Sequence, residues 1–217
     1  MLRTGRKLLL ENLTADERRQ TRIFKKFDLV LKLLLILFFL RNLRSSAAKN
    51  CNFMSKKLED YRKGAVGALM DEYERAAFEL KSLVTSVSEE DYTRIADAET
   101  KDADCHSIQT MMNHVIHAGY GYANAIRRKF AIPHTPLGDE RPQISQKEIG
   151  DEIDKILAYT EATLEGHWEM SYEEMNKTLI EDRANFQENI EQLLEHAVLH
   201  ILRHRRQVEK FLLKFEN

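Results

Sequence analysis

The sequence predicts an all-α protein built around four long helices, and three observations predict it. Only eight glycines and three prolines interrupt the 217 residues, and the prolines (Pro133, Pro136 and Pro142) cluster in one connection. No stretch alternates apolar and polar residues with the period of two that is typical of a half-buried strand. Several long stretches instead repeat apolar residues every three or four positions, which is the spacing of one helix face. Four such helices of similar length predict a four-helix bundle.

Turn residues and capping patterns set the helix boundaries. The predicted helices cover about residues 56–87, 107–130, 145–166 and 185–214. Ser145 begins the third helix, because Glu148 three residues later completes a capping box. Either Asn185 or Asp182 is a suitable N-cap for the fourth helix. Each predicted helix is long enough to present a continuous apolar stripe to a shared core.

A basic and apolar extension, residues 1–53, precedes the predicted bundle. It carries twelve of the 33 Lys and Arg residues and only four of the 35 Asp and Glu residues. The uninterrupted apolar run at residues 33–40 is too short to span a bilayer, which needs about 20 residues. Three origins stay open: an over-extended reading frame with Met54 as the natural start, an export signal or membrane anchor, or a segment of another kind.

Residues 54–217 are predicted to form one domain with a sizeable core. The 21 basic and 31 acidic residues that remain make this domain acidic, which argues against nucleic acid as its partner. Its apolar content is dispersed along helix faces, so no membrane role is expected apart from the extension. The two cysteines, Cys51 and Cys105, form no disulfide framework or metal-binding pair. A reducing cytoplasm is therefore the expected location.

Three histidines one helical turn apart, His196, His200 and His204, are the most informative residues of the fourth helix. Imidazole is the commonest protein ligand for transition metals, and residues four apart on a helix lie on one face. At about 100° per residue, His204 falls inside the apolar stripe of this helix and His200 lies at its edge. His196 lies further towards the polar face. The spacing therefore predicts His200 and His204 as an inward pair that His196 flanks.

The second helix offers a third ligand. On its helical wheel His117 lies on the solvent side, whereas His114 lies at a border that it shares with Ala118, Gly121 and Ala125. These small neighbours would let another helix or an ion come close, so His114 is the preferred third ligand. The competing interpretation is that these histidines are ordinary hydrogen-bonded core residues, and spacing alone leaves both interpretations open.

Two segments carry a resemblance to a known family. The second-helix segment SIQTMMNHVIHAGYGYANAI and the fourth-helix segment HILRHRRQ resemble motifs of the DinB superfamily of metal-dependent enzymes, and the resemblance covers about residues 56–214. It implies an up-down-down-up bundle and a divalent metal that is most often zinc or nickel. Family members are frequently dimers, so a homodimer and a monomer both stay open. By this match His114, His200 and His204 are the metal ligands. Arg206 stands where the family commonly has glycine.

A site of three neutral imidazoles leaves one coordination position open, as in catalytic rather than structural zinc sites. The family that the chain resembles includes bacterial thiol S-transferases. The open coordination position and this resemblance together predict thiol-dependent transferase or hydrolase chemistry on a small molecule, with a low-molecular-weight thiol as a second cofactor. No general base is identified. Asn113 and Gln207 are candidates to hold a ligand N–H. Tyr120 and Tyr122 are candidate pocket residues, although the helical spacing of Tyr122 also suits the core. The alternative is a non-catalytic bundle that binds metal or a partner in a stress response.

Overall fold

The computed structural model describes residues 57–138, 141, 143–181 and 187–216. The four long helices are α1 (Gly64–Val84), α3 (Ile108–Lys129), α4 (Ile149–Leu164) and α6 (Ile190–Phe215). The shorter elements are the helices α2 (Glu89–Thr93) and α5 (Tyr172–Lys177), the strands β1 (Leu179–Glu181) and β2 (Gln187–Asn189), and 3₁₀ turns at Leu58–Asp60 and Ala103–Cys105. The predicted all-α class is confirmed, with one small sheet that the sequence pattern did not predict.

The predicted extension, residues 1–53, lies outside the described residues, so its three possible origins stay predictions. Cys51 lies there too, and Cys105 is a half-buried free thiol. In the part of the chain that the structure describes, no helix combines the length and the apolar character needed to cross a bilayer.

Helix α1 begins at Gly64, eight residues later than the sequence predicted. Lys63 is extended, and Gly64 has a φ of +75°, with no room for a side chain because a Cβ would lie 2.1 Å from the carbonyl oxygen of Trp168. Only glycine adopts this conformation without strain. The chain before it is held by Arg62, which forms ion pairs with Asp71 and with Glu161, each at 2.6 Å. A tertiary contact, rather than helix propensity, therefore sets this boundary.

Helix α3 agrees with its predicted bounds to within one residue at each end. Ser107 is its N-cap and forms a reciprocal capping box with Thr110. The predicted contact before α4 also forms, since the Glu148 carboxylate accepts hydrogen bonds from the backbone N–H and the hydroxyl of Ser145. Regular helix nevertheless begins only at Ile149. The capping box at Ser145 thus predicted the start of α4 to within about a turn.

Helix α6 begins at Ile190, later than predicted, because the residues before it form a strand. Strand β2 pairs antiparallel with β1, and Leu179 lies opposite Asn189. Asn189 is also the N-cap of α6, where its side chain and that of Gln192 form a capping box. The predicted caps Asn185 and Asp182 lie outside the described residues.

Each of the four long helices packs against two of the others. Helix α1 contacts α4 and α6, and helix α3 contacts the same two. The core between them is apolar, and its largest fully buried side chains include Met70, Leu80, Ile108, Met112, Ile126 and Leu193. The contact between α3 and α6 brings together the two helices that carry the predicted metal ligands.

Candidate metal centre

The three predicted ligands lie on two helices that touch. His200 and His204 are one turn apart on α6, and each is only 7% exposed. His114 is half-buried on α3. On both helices a capping box fixes the start, and the apolar stripe then determines which residues turn inward. The wheel therefore predicted the inward pair on α6 correctly, and the tertiary contact supplies the third imidazole.

The Nε2 atoms of the three rings converge. Nε2 of His200 lies 2.9 Å from Nε2 of His114 and 3.2 Å from Nε2 of His204. One ligand atom from each of the three residues can be chosen so that all lie within 4.8 Å of one another. Two nitrogens on a tetrahedral zinc ion, each at about 2.05 Å, are separated by about 3.3 Å. The spacing around His200 is therefore close to that of two ligands on one ion.

Hydrogen bonding alone does not satisfy this arrangement. A neutral imidazole nitrogen has one in-plane direction, which either donates a proton or accepts one. Nε2 of His200 faces two other Nε2 atoms and can form a well-directed hydrogen bond with only one of them. A cation placed among the three nitrogens would accept a lone pair from each. The donor set thus fits a metal ion better than it fits three mutually hydrogen-bonded side chains.

The surroundings keep these rings neutral. Burial, followed by the neighbouring imidazoles, lowers the pKa of His200 to about 3. Burial and the nearby His114 lower the pKa of His204 to about 4, and burial also lowers the pKa of His114. A histidine binds a metal only in its deprotonated form. The three side chains are therefore in their ligating protonation state at neutral pH.

Two polar side chains lie beside the triad. Asp104 Oδ2 is 3.1 Å from Nδ1 of His114, although the ring N–H is not directed at it closely enough to form a hydrogen bond. Asp104 also contacts Arg141. Gln207 lies close to His204 and partly offsets the lowering of its pKa. Nδ1 of His204 is nevertheless buried without an aligned hydrogen bond. Asp104 and Gln207 therefore lie near the nitrogens for which metal-bound histidines usually have an outer partner.

The other two histidines singled out in the sequence lie elsewhere. Nδ1 of His196 is 3.3 Å from a carboxylate oxygen of Glu188, and its ring packs against Tyr122 at 5.3 Å between centroids. His196 therefore flanks the site, as predicted. His117 was expected on the solvent side, but it is half-buried and lines a cavity. Neither residue belongs to the converging group.

Two residues beside the site have roles that the sequence did not assign to them. Asn113, a predicted partner for a ligand, instead accepts a hydrogen bond from the backbone N–H of Ile144 at 3.0 Å and donates one to Gln143. These hydrogen bonds hold the loop before α4 against α3. Asp104 was not considered, because it precedes α3 and no helical periodicity relates it to His114. Its place three residues before Ser107, the N-cap of α3, is the only signal that the sequence carried.

Comparison of the chain with protein-family models, with curated proteins and with solved structures found no match.

Proposed function

We propose that the chain binds one divalent metal ion through His114, His200 and His204. The observation that carries this proposal is the convergence of three Nε2 atoms from two helices on one point. Burial supports it in two ways, because it holds the rings neutral and excludes much of the water that would compete for an ion. Imidazole nitrogen suits zinc and nickel among the divalent ions, so these two are the expected metals.

We also infer that the long helices form an up-down-down-up four-helix bundle of the DinB type. The closed cycle of contacts, α1 with α4, α4 with α3, α3 with α6 and α6 with α1, supports this arrangement. The candidate ligands stand on the second and fourth of the long helices, which is the placement that the sequence resemblance implies. In four-helix bundles, side chains from facing helices commonly build the metal sites.

The function that fits this site best is a metal-dependent transferase or hydrolase acting on a small molecule. When bound, the ion would lower the pKa of a coordinated water or low-molecular-weight thiol. Three neutral ligands add no negative charge, so the chain leaves the charge of the ion available for that purpose. Asp104 would hold the proton on Nδ1 of His114 and fix the orientation of this ring. Tyr122, whose ring is 5.9 Å from that of His200, would shield that side of the site.

One observation favours a second candidate, a non-catalytic bundle that binds metal or a partner in a stress response. Among the described residues, no carboxylate or thiol joins the three histidines in the ligand cluster. The carboxylate beside them, Asp104, also contacts Arg141. An arginine partner stabilises a carboxylate as the anion and makes it a weaker base. This arrangement suits a positioning role for Asp104 better than proton transfer.

Metal analysis of purified variants tests the metal site. We expect the wild-type chain to bind about one zinc or nickel ion, and His114→Ala, His200→Ala and His204→Ala each to lose it. The matched controls are His196→Ala, which is one turn from His200 on α6, and His117→Ala, which is on α3 with His114. Both should keep the ion. Retention of metal by the three ligand variants, or its loss from both controls, would refute this assignment.

A thiol-transfer assay separates the two candidate functions. The electrophile 1-chloro-2,4-dinitrobenzene is mixed with a panel of low-molecular-weight thiols and with either the zinc-loaded or the chelator-treated protein. The transferase proposal expects turnover that needs metal and that disappears in His200→Ala. A protein that binds zinc but gives no metal-dependent turnover with any thiol, and no ester hydrolysis, would support the binding role instead.

A further inference from the structure

A cavity of about 160 Å³ is lined mostly by α3, from His117 to Arg128, together with Leu193 of α6. Small residues of α3 form one wall, and Leu193 of α6 contributes to the other. At Gly121 a Cβ would meet nothing within 4 Å, so this position opens directly into free space. The three small residues that the sequence places on the same border as His114 (Ala118, Gly121 and Ala125) all line the cavity.

Tyr122 connects the cavity to the triad. Its side chain lines the cavity, and its ring is 5.9 Å from the ring of His200 in an edge-on arrangement. With a rise of about 1.5 Å per residue, Ala118 and Ala125 lie about 6 and 16 Å beyond His114 along the helix. A molecule in the cavity would therefore lie against Tyr122, which also contacts His200 of the triad.

The chemistry of the walls indicates what the cavity accepts. The alanine, glycine and leucine residues offer only apolar surface, and the Tyr122 ring offers an aromatic face. His117 also lines the cavity, at the end nearest to His114 along α3, and its imidazole is a polar group on that wall. The exposed Arg128 lines the cavity at the position furthest along α3 from His114. Its guanidinium is always charged and binds carboxylates with two hydrogen bonds. An apolar cavity of about 150 Å³ holds a molecule the size of benzene.

We propose that this cavity binds a small carboxylate with an aromatic ring or a short alkyl chain. The apolar part fills the space beside Gly121, and the carboxylate pairs with Arg128 at the outer end. The opposite end of the molecule faces the triad. That orientation rests on the proposed metal site, whereas occupation of the cavity does not. The cavity would then select the substrate on which the metal centre acts.

Binding of 4-fluorobenzoate to chelator-treated protein, followed by fluorine NMR, tests the cavity without any metal. We expect Gly121→Leu to weaken binding about tenfold, because its side chain would fill the cavity. The matched control Gly121→Ala places only a methyl group in open space and should bind nearly as the wild type does. Circular dichroism and metal content establish that both variants keep the fold.

The uncharged analogue 4-fluorobenzyl alcohol tests the role of Arg128. Arg128→Gln should weaken binding of the carboxylate about threefold, since the ion pair is exposed, and should leave binding of the alcohol unchanged. Equal losses for both probes would overturn the carboxylate assignment. Absence of 4-fluorobenzoate binding, or equal affinity of wild type and Gly121→Leu, would overturn the cavity as a binding site.

Cobalt-loaded protein tests the position of the ligand relative to the triad. Cobalt(II) is paramagnetic and zinc is not, so the fluorine signal of bound 4-fluorobenzoate should broaden only in the cobalt form. Binding without such broadening, in a protein shown to hold cobalt, would refute the link between the cavity and the metal centre. A protein that binds the probe but takes up no metal would refute the proposed metal site and leave the cavity assignment standing.

Discussion

The neutral histidine pair on α6 predicts how the stability of the metal-free protein depends on pH. His200 and His204 have pKa values lowered to about 3 and about 4, mainly because burial penalises the charged ring. In the unfolded chain both return to a pKa of about 6.5. Between these limits the unfolded chain binds more protons than the folded one. The free energy of unfolding should therefore have its full value above about pH 6.5 and decrease as the pH falls below that value.

The magnitude follows from the same values. Each histidine that is protonated only in the unfolded chain costs about 1.4 kcal/mol for every pH unit below about 6.5. At pH 5 both rings are still neutral in the folded protein, so the pair costs on the order of 4 kcal/mol. This is a large part of the 5 to 15 kcal/mol by which most domains are stable. The lowered pKa of His114 adds to the effect in the same direction.

Urea unfolding in the presence of a chelator, at pH 7.5 and at pH 5, measures this loss. The reference is the double variant His200→Gln and His204→Gln, whose amides have similar size and do not titrate. We expect the wild type to lose on the order of 4 kcal/mol more than the double variant between the two pH values. Equal losses would show that the two rings are not held neutral by burial and would refute the reasoning.

Two further predictions concern residues near the site. Asp104→Asn should weaken zinc binding by about tenfold, because the carboxylate lies 3.1 Å from Nδ1 of His114 and would orient that ligand once the ion is bound. Competition with a zinc chelator measures this, and unchanged affinity would remove Asp104 from the site. Gly119→Ala and Gly121→Ala form a matched pair on α3. A Cβ at Gly119 would lie 2.8 Å from a carbon of Ile156, whereas one at Gly121 meets nothing. Gly119→Ala should therefore destabilise the protein by about 1–3 kcal/mol, whereas Gly121→Ala should stabilise the helix by about 0.5–1 kcal/mol. Thermal unfolding compares the two variants, and equal effects on stability would contradict the packing described.

The sequence predicted the long helices well where local chemistry determines them. Helix α3 was predicted to begin at Ser107, and Ser107 is its N-cap in a capping box with Thr110. The predictions from sequence failed where contacts with distant parts of the chain set a helix boundary. Gly64 adopts a positive φ against the carbonyl of Trp168, and β2 delays the start of α6 by pairing with β1. No periodicity within one helix records either contact.

The candidate site was also predictable only in part from the sequence. Helical spacing alone placed His200 and His204 on one inward face, because residues four apart share a face in any α-helix. It preferred His114 to His117, but it was wrong to place His117 on the solvent side, since that residue is half-buried and lines a cavity. Spacing could not assign a role to Asp104 or predict that Tyr122 lies between the triad and a cavity. Those relations depend on a loop and on the distance between two helices.

The sequence by itself determined the helical class, the polarity of each helix face and the histidines that turn inward, since these follow from residue spacing along a single helix. The tertiary structure decided that α3 and α6 lie close enough for three imidazole nitrogens to converge, and that small residues further along α3 leave a cavity. The physical reason is that helix periodicity is a local property of the chain. The distance and rotation between two helices depend on the side chains of every helix packed against them.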